Sequence, residues 1–313
     1  MVKKYHGVIP PIITPVNSDE TVDEGGFRQI IDYCIDGGLH GLFVAGTNGD
    51  SMALTQKERN HAIQIALDQV RGRVPVMCGV MDTSTKRVID NIKALEQMGG
   101  TCAVVTPVFY DRHTSQTETL RHFERILRET SVELALYNIP PFVGTKVDAA
   151  TVIKIAELDR RVVAYKDSSS AFADFQQVLS HFKNNPDFSV LQGITPHAMT
   201  SILLGADGFV PALSVCFPQM FVSAYEAAAC RNIELALAYD DLIRESSKIL
   251  KMTKNATAAT KFAVSLRGFT SDLVISPQDP ILESEKGAIR TAVANIDARY
   301  LALRAQHTVS CSY

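Results

Sequence analysis

The chain has 313 residues, 46% hydrophobic and 21% charged, enough for a sizeable globular core in one barrel with an extension or in two ordinary domains. A formal net charge of -3 leaves no basic footprint for nucleic acid and no polybasic membrane patch. Six cysteines at positions 34, 78, 102, 216, 230 and 311, without a CxxC or a close pair, fit reduced thiols and a cytoplasmic setting.

The start, MVKKYHGVIPP, carries two lysines with no apolar stretch behind them, so no secretory signal is expected. Short apolar, β-rich runs then recur at 7–14, 41–45, 74–80, 102–106, 133–138, 162–167, 189–193 and 207–211, eight in all. Between them lie amphipathic helical patterns at 23–37, 55–71, 85–98, 115–129, 148–158 and 171–183. In 55–71, Ala62, Ile65, Ala66 and Val70 share one face while Lys57, Glu58 and Arg59 begin the polar side. Thr55 followed by Glu58 predicts a capping box. The pairs Gly37-Gly38 and Gly99-Gly100 supply left-handed C-caps. The most apolar long window, 201–221, is broken by Gly205, Asp207, Gly208 and two prolines, so it reads as core elements joined by a turn and not as a membrane span.

Strands without polar interruption imply burial on both faces, and alternation with helices implies a parallel sheet. A doubly wound sheet would want a glycine fingerprint after its first strand, which IITPVNSDETVD lacks. The prediction is therefore a (β/α)₈ barrel over residues 1–230. Helical patterns at 232–251, 256–267 and 284–304 predict a C-terminal helical bundle over 231–313.

In such a barrel the chemistry sits at the C-terminal ends of the strands. Lys166 ends VVAYKD, and alternation puts it in an inward row with Val162 and Ala164. Poor hydration disfavours the charged form and can bring a lysine from ~10.4 toward ~7–8, where the free amine attacks carbonyls. A lysine that snorkels to solvent or pairs with Asp167 is the alternative. Tyr137 holds the same slot on the preceding strand, in a row with Glu133 and Ala135, one strand spacing of ~4.8 Å away. Its hydroxyl can shuttle protons, or it can be a barrel-filling aromatic. The turn AGTNGDS offers backbone N–H groups, the Thr47 hydroxyl and the Asn48 amide, and Gly46 and Gly49 permit close approach of a carboxylate; a plain glycine turn is the alternative. His40, His61, His113 and His181 share no metal-ligand spacing, so no metal and no cofactor are expected.

These residues resemble the dihydrodipicolinate synthase/N-acetylneuraminate lyase superfamily of class I, pyruvate-handling barrels, from about Tyr5 to Tyr300. The resemblance rests on GTNGDSMALTQKER at 46–59, TPVFY at 106–110, YNIP at 137–140, KDSS at 166–169 and GADGFV at 205–210. It implies that Lys166 is the Schiff-base lysine and Tyr137, with Thr47, the proton relay. Thr47 and Asn48, opened by Gly46, fall where the pyruvate carboxylate is held, and Val210 falls beside the pyruvate methyl. The chain departs from the family at several positions. The synthases place an arginine for aspartate semialdehyde where this chain has Phe142, a position expected to be buried. Sialic acid lyases have an acidic pair after the strand-seven glycine, here Gly193, and QGITPH puts Thr195 and Pro196 at those positions. The synthases' intersubunit tyrosine falls on Phe109, with Tyr110 next to it; either Tyr110 substitutes after a local shift or the relay is shortened to Thr47 and Tyr137. Asp50 replaces the usual glutamate of the turn, in a structural role.

The resulting expectation is a Schiff-base aldolase acting on a 2-oxo acid, pyruvate, with a neutral aldehyde such as that from a 2-keto-3-deoxy sugar acid, beside Phe142, Val143, Ile194 and Pro196. Alternatives are a dihydrodipicolinate synthase-like condensation, a 2-oxo acid dehydratase, a metal-dependent class II aldolase and a non-catalytic 2-oxo-acid-binding sensor. Aspartate semialdehyde is expected to be a poor substrate. The resemblance also implies a homo-oligomer, a dimer or tetramer, while the charge balance leaves no nucleic acid or membrane partner to expect.

Overall fold

The computed structural model describes residues 3–307. Eight strands, β1 (Gly7–Val8), β2 (Leu42–Val44), β3 (Val76–Gly79), β4 (Cys102–Val105), β5 (Glu133–Asn138), β6 (Val162–Asp167), β7 (Ser189–Gln192) and β8 (Gly208–Phe209), form one parallel sheet. Its order is β1-β8-β7-β6-β5-β4-β3-β2. A parallel bridge between Pro11 and Phe43 closes it, with Phe43 N–H donating to Pro10 O at 2.9 Å and Ile12 N–H to Phe43 O at 3.0 Å. The predicted barrel is therefore present. Its first strand is shorter than the predicted 7–14, because Pro10 and Pro11 have no N–H to give a ladder.

The helices are α1 (Glu24–Asp36), α2 (Gln56–Val70), α3 (Thr85–Gln97), α4 (Gln116–Glu129), α5 (Pro140–Val143), α6 (Ala149–Leu158), α7 (Phe172–Phe182), α8 (Ala198–Leu203), α9 (Pro218–Ala229), α10 (Ile233–Ser247), α11 (Ala256–Ser265) and α12 (Glu283–Gln306). Oxygens of Asp23, Thr55, Ser84, Ser115 and Asp148 each accept an N–H three residues on, which fixes where five of them start. Gly38 and Gly99 take positive φ at the ends of α1 and α3, as their pairing predicted.

At α2 the structure corrects the reading twice. Thr55 accepts from Glu58 N–H, but the Glu58 carboxylate accepts from Val22 N–H at 2.9 Å, so the capping box is not reciprocal. Glu58 and Arg59 are buried, with Arg59 donating to Met81 O and lying 3.7 Å from the Asp82 carboxylate. Paired charges can be buried where lone ones cannot.

Two apolar layers follow from strand alternation. Tyr5, Phe43, Val104, Ala135, Tyr137, Ala164, Leu191 and Val210 fill the barrel interior. Leu134, Leu136, Tyr165 and Val190 face the helices, in a cluster that also takes in Ile289, Val293 and Ile296 of α12. Ala164 and Lys166 point inward as predicted. Val162 does not, because the β5–β6 register shifts at Leu134/Ala135 and sends it to the outer layer. At the far end of the barrel the inward Glu133 accepts from Tyr5 Oη at 2.6 Å and pairs with Lys4. Cys34, Cys78, Cys102 and Cys216 are buried free thiols, whereas Cys230 is disulfide-bonded, contrary to the all-reduced reading; Cys311 lies outside the described residues.

Candidate active site

Register brings Tyr137 of β5 directly beside Lys166 of β6. The Lys166 ammonium lies 4.0 Å from the Tyr137 ring centroid and 4.7 Å from that of Phe43, and the two rings meet edge to face. Lys166 is only 5% exposed. Burial alone lowers its pKa to about 7. It neither snorkels nor pairs with its neighbour: Asp167 points to the outer layer, accepting from Tyr165 Oη at 3.0 Å, Asn138 Nδ2 at 3.1 Å and Ser169 N–H at 3.2 Å. Asn138 is a cross-brace, since its amide also exchanges hydrogen bonds with Val147. This fixes the β5–β6 ends from behind and leaves Lys166 without a counter-charge in front.

Burial raises the Tyr137 phenol to about 12, while the Ser168 and Thr47 hydroxyls beside it pull the other way. At that value it stays protonated near neutrality and is placed to donate and accept a proton in turn. Thr47 opens a short 3-10 turn, Thr47–Gly49, whose first internal bond is Gly49 N–H to Gly46 O. The earlier amides of Thr47 and Asn48 therefore precede its hydrogen-bonded part and suit an anion. Gly46 is required here, because a Cβ would stand 2.7 Å from the Phe43 ring. The Asn48 side chain does something other than expected. Its Nδ2 donates to Pro11 O at 2.6 Å and ties the turn to the closure of the barrel.

Asp50 ends the turn with φ 53°, buried, in a 2.7 Å ion pair with Lys261 of α11, whose side chain is 1% exposed. The C-terminal helices thus reach into the barrel's catalytic end. Gly193 is a second required glycine, since a Cβ there would lie 2.1 Å from Ser168 Oγ.

A cavity of about 360 Å³ joins these groups. Thr47, Asn48, Tyr137, Lys166, Gly193, Thr195 and Val210 all line it, as do Ile194, Pro196 and Phe142. Gly46 stands behind Thr47. Phe142 is not buried as expected but 69% exposed, because Pro140–Val143 forms a single turn that lifts it to the rim. The buried member of that turn is Val143, which lies in an adjoining chamber of about 710 Å³ together with Phe109. Phe109 packs on the interior cluster, whereas Tyr110 is 97% exposed with φ 71°, so the two candidate aromatics point in opposite senses.

The sequence reading missed Phe43, Ser168, and the segment Ser247, Leu250, Lys251, Ala256 and Thr257 that lines the cavity from the C-terminal side. Phe43 was available from alternation between Leu42 and Val44, and Ser168 from KDSS. Nothing local marks the last segment. Among the described residues no group of three or more His, Cys, Asp or Glu is arranged to hold a metal, and no helix is long and apolar enough to cross a membrane.

A barrel of parallel strands with a desolvated lysine and a tyrosine side by side at its catalytic end defines a class, the barrel lyases. Residues 4–296 match the dihydrodipicolinate synthetase family, and the chain belongs to that family. A putative 2-dehydro-3-deoxy-D-gluconate aldolase of Escherichia coli, YagE, is 27% identical over 93% of this chain and 97% of its own. A 4-hydroxy-tetrahydrodipicolinate synthase of Phenylobacterium zucineum is 28% identical over 92% of this chain and 96% of its own. Among solved structures, YagE in complex with pyruvate superposes with a TM-score of 0.88 over 94% of this chain and 99% of that one, at 27% identity. Dihydrodipicolinate synthase from Bacteroides thetaiotaomicron gives a TM-score of 0.89 at 33% identity, over 94% of this chain and all of that one. The protein is an enzyme, a lyase of this family.

Proposed function

We propose that the enzyme is a class I aldolase that joins Lys166 to a 2-oxo acid, pyruvate, as an imine. The free amine attacks C2, the carbinolamine loses water, and the iminium loses a methyl proton to give an enamine. The enamine adds to an aldehyde, and hydrolysis of the imine releases the product; cleavage runs the same steps backward. Tyr137 and Thr47 pass the proton to and from the C2 oxygen, the amides at Thr47 and Asn48 hold the carboxylate, and Val210 packs beside the methyl. The observation that carries this reading is the buried Lys166, with a pKa of about 7 and an aromatic wall in place of an acid partner.

The hydroxyls of Ser168, Thr195 and Thr257 along the cavity favour a hydroxylated aldehyde, as from a 2-keto-3-deoxy sugar acid. The outward Tyr110 favours a homo-oligomer, in which it takes the intersubunit place while Phe109 stays in its own barrel. The C-terminal part, expected over 231–313 and described to residue 307, is proposed as a separate helical unit that roofs the barrel. Borohydride added with pyruvate tests the chemistry. A reduced pyruvyl group on the Lys166 peptide is the expected product, and an unmodified Lys166 with pyruvate still bound would overturn the imine.

A further inference from the structure

The charges of the cavity are one-sided. Lys166 and Lys251 are the charged residues lining the chamber, and no Asp or Glu faces them among its described lining residues. The adjoining chamber, which shares Thr47, Ile139, Phe142, Ala256 and Thr257, adds Lys254 and a single carboxylate, Asp50, already paired with Lys261. Lys251 ends the 3-10 turn Lys248–Lys251 that follows α10, and Leu250 beside it helps to close the chamber. Neither Lys251 nor Lys254 has an ion-pair partner among the described residues. The Ser247 hydroxyl donates to Arg244 O at 2.7 Å, so Lys251 and the Thr257 hydroxyl are the side-chain donors that residues 247–257 offer to this chamber.

We infer that the mouth of the cavity is an anion subsite in which Lys251, assisted by Thr257, holds a phosphate or second carboxylate at the far end of the substrate. This rests on the imine chemistry proposed above and deepens it: the substrate is a 2-oxo acid charged at both ends. The 2-oxo acid carboxylate lies at the Thr47 turn and the second anion at Lys251, with C2 bound to Lys166 between them. Phe142, exposed at the rim, offers no charge to such a group, and Lys251 is the cation that the lining supplies besides Lys166. A lysine on a flexible stem suits an anion whose position is set by chain length more than by a bidentate grip.

The test uses imine trapping, which needs no aldehyde. Half-saturating concentrations for borohydride trapping on Lys166 are compared within two pairs: 2-dehydro-3-deoxy-D-gluconate against its 6-phosphate, and 2-oxohexanoate against 2-oxoadipate. In the wild type the charged member is expected to trap at about 10- to 100-fold lower concentration, the usual worth of a hydrogen bond to a charged group. In Lys251→Gln that ratio should collapse toward one. An effect in the phosphate pair alone assigns a phosphate, in the carboxylate pair alone a carboxylate, and in both a general anion site. A wild-type ratio near one in both pairs, or a ratio that survives Lys251→Gln, overturns the subsite. Absence of any trapping at Lys166 is a separate result that would remove the imine reading and this inference with it.

Discussion

The β5–β6 wall of the cavity and the arch that roofs it, residues 247–261, are held by different forces. The wall is a parallel ladder with apolar rows on both faces, braced from behind by Asn138 and Asp167. Its stability is spread over many small terms, and its geometry is set by register. The arch hangs on helix packing and on one buried ion pair, Lys261 to Asp50, at 2.7 Å. In the reading proposed above, the reacting amine and phenol sit on the wall, while the residues proposed to choose among substrates sit on the arch. A rigid element holds reacting groups within the tolerance catalysis needs.

The sharpest way to break this division is at Lys166. Lys166→Met removes the nucleophile, and turnover is expected to fall by at least ~10³-fold with the fold intact. Because the free amine is the reactive form and its pKa is about 7, kcat/KM should rise with pH through about 7 and level off above it. A rate that is flat from pH 5.5 to 8.5 would place the essential amine elsewhere.

Tyr137→Phe keeps the ring against the ammonium and deletes the relay, so the expected loss is about 10²–10⁴-fold in turnover. Trapping with pyruvate should persist but become slow. If the variant matched the wild type, Thr47 and Ser168 would have to carry the proton alone.

The wall was largely legible in the sequence. The bounds 133–138 and 162–167 agree with β5 and β6 because apolar runs, 134–137 and 162–165, fill most of each strand, as buried parallel strands require. Legibility failed where a residue's environment comes from far along the chain. Glu58 and Arg59 read as solvent-facing because Val22, Met81 and Asp82, which satisfy them, lie on other elements. Val162 was misplaced by a register shift that no one-strand pattern reveals. Lys261 lies on α11 and Lys251 on the short turn before it, stretches of ordinary composition, and the Asp50 partner of Lys261 appears only when α11 packs against the Thr47–Gly49 turn.

The arch is probed by Lys261→Met. It leaves the Asp50 carboxylate buried without its partner, and such a broken pair costs about 3–5 kcal/mol. Replacing both members, Asp50→Asn with Lys261→Met, should recover most of that, since a buried pair exchanged for neutral groups is often close to neutral. Denaturant titration of the four proteins in this cycle measures the coupling. Equal stability of Lys261→Met and the wild type would show that packing alone holds the arch.

The smallest expected effect is at Phe142, on the rim between the two regions. Had this aromatic been buried, as its sequence neighbourhood suggested, truncation to alanine would open a cavity and cost about 3–5 kcal/mol. At 69% exposure, lifted outward by the turn Pro140–Val143, it makes little contact that unfolding would lose. Surface substitutions of that kind stay within about 0.5 kcal/mol. Phe142→Ala should therefore unfold at nearly the wild-type denaturant midpoint, while Val143→Ala, the buried neighbour in the same turn, should shift it clearly. A large destabilisation by Phe142→Ala would mean that the ring is covered in solution. The surface that covers it would then have to come from another copy of the chain or from closure of the arch, and the dependence of the midpoint on protein concentration would tell these apart.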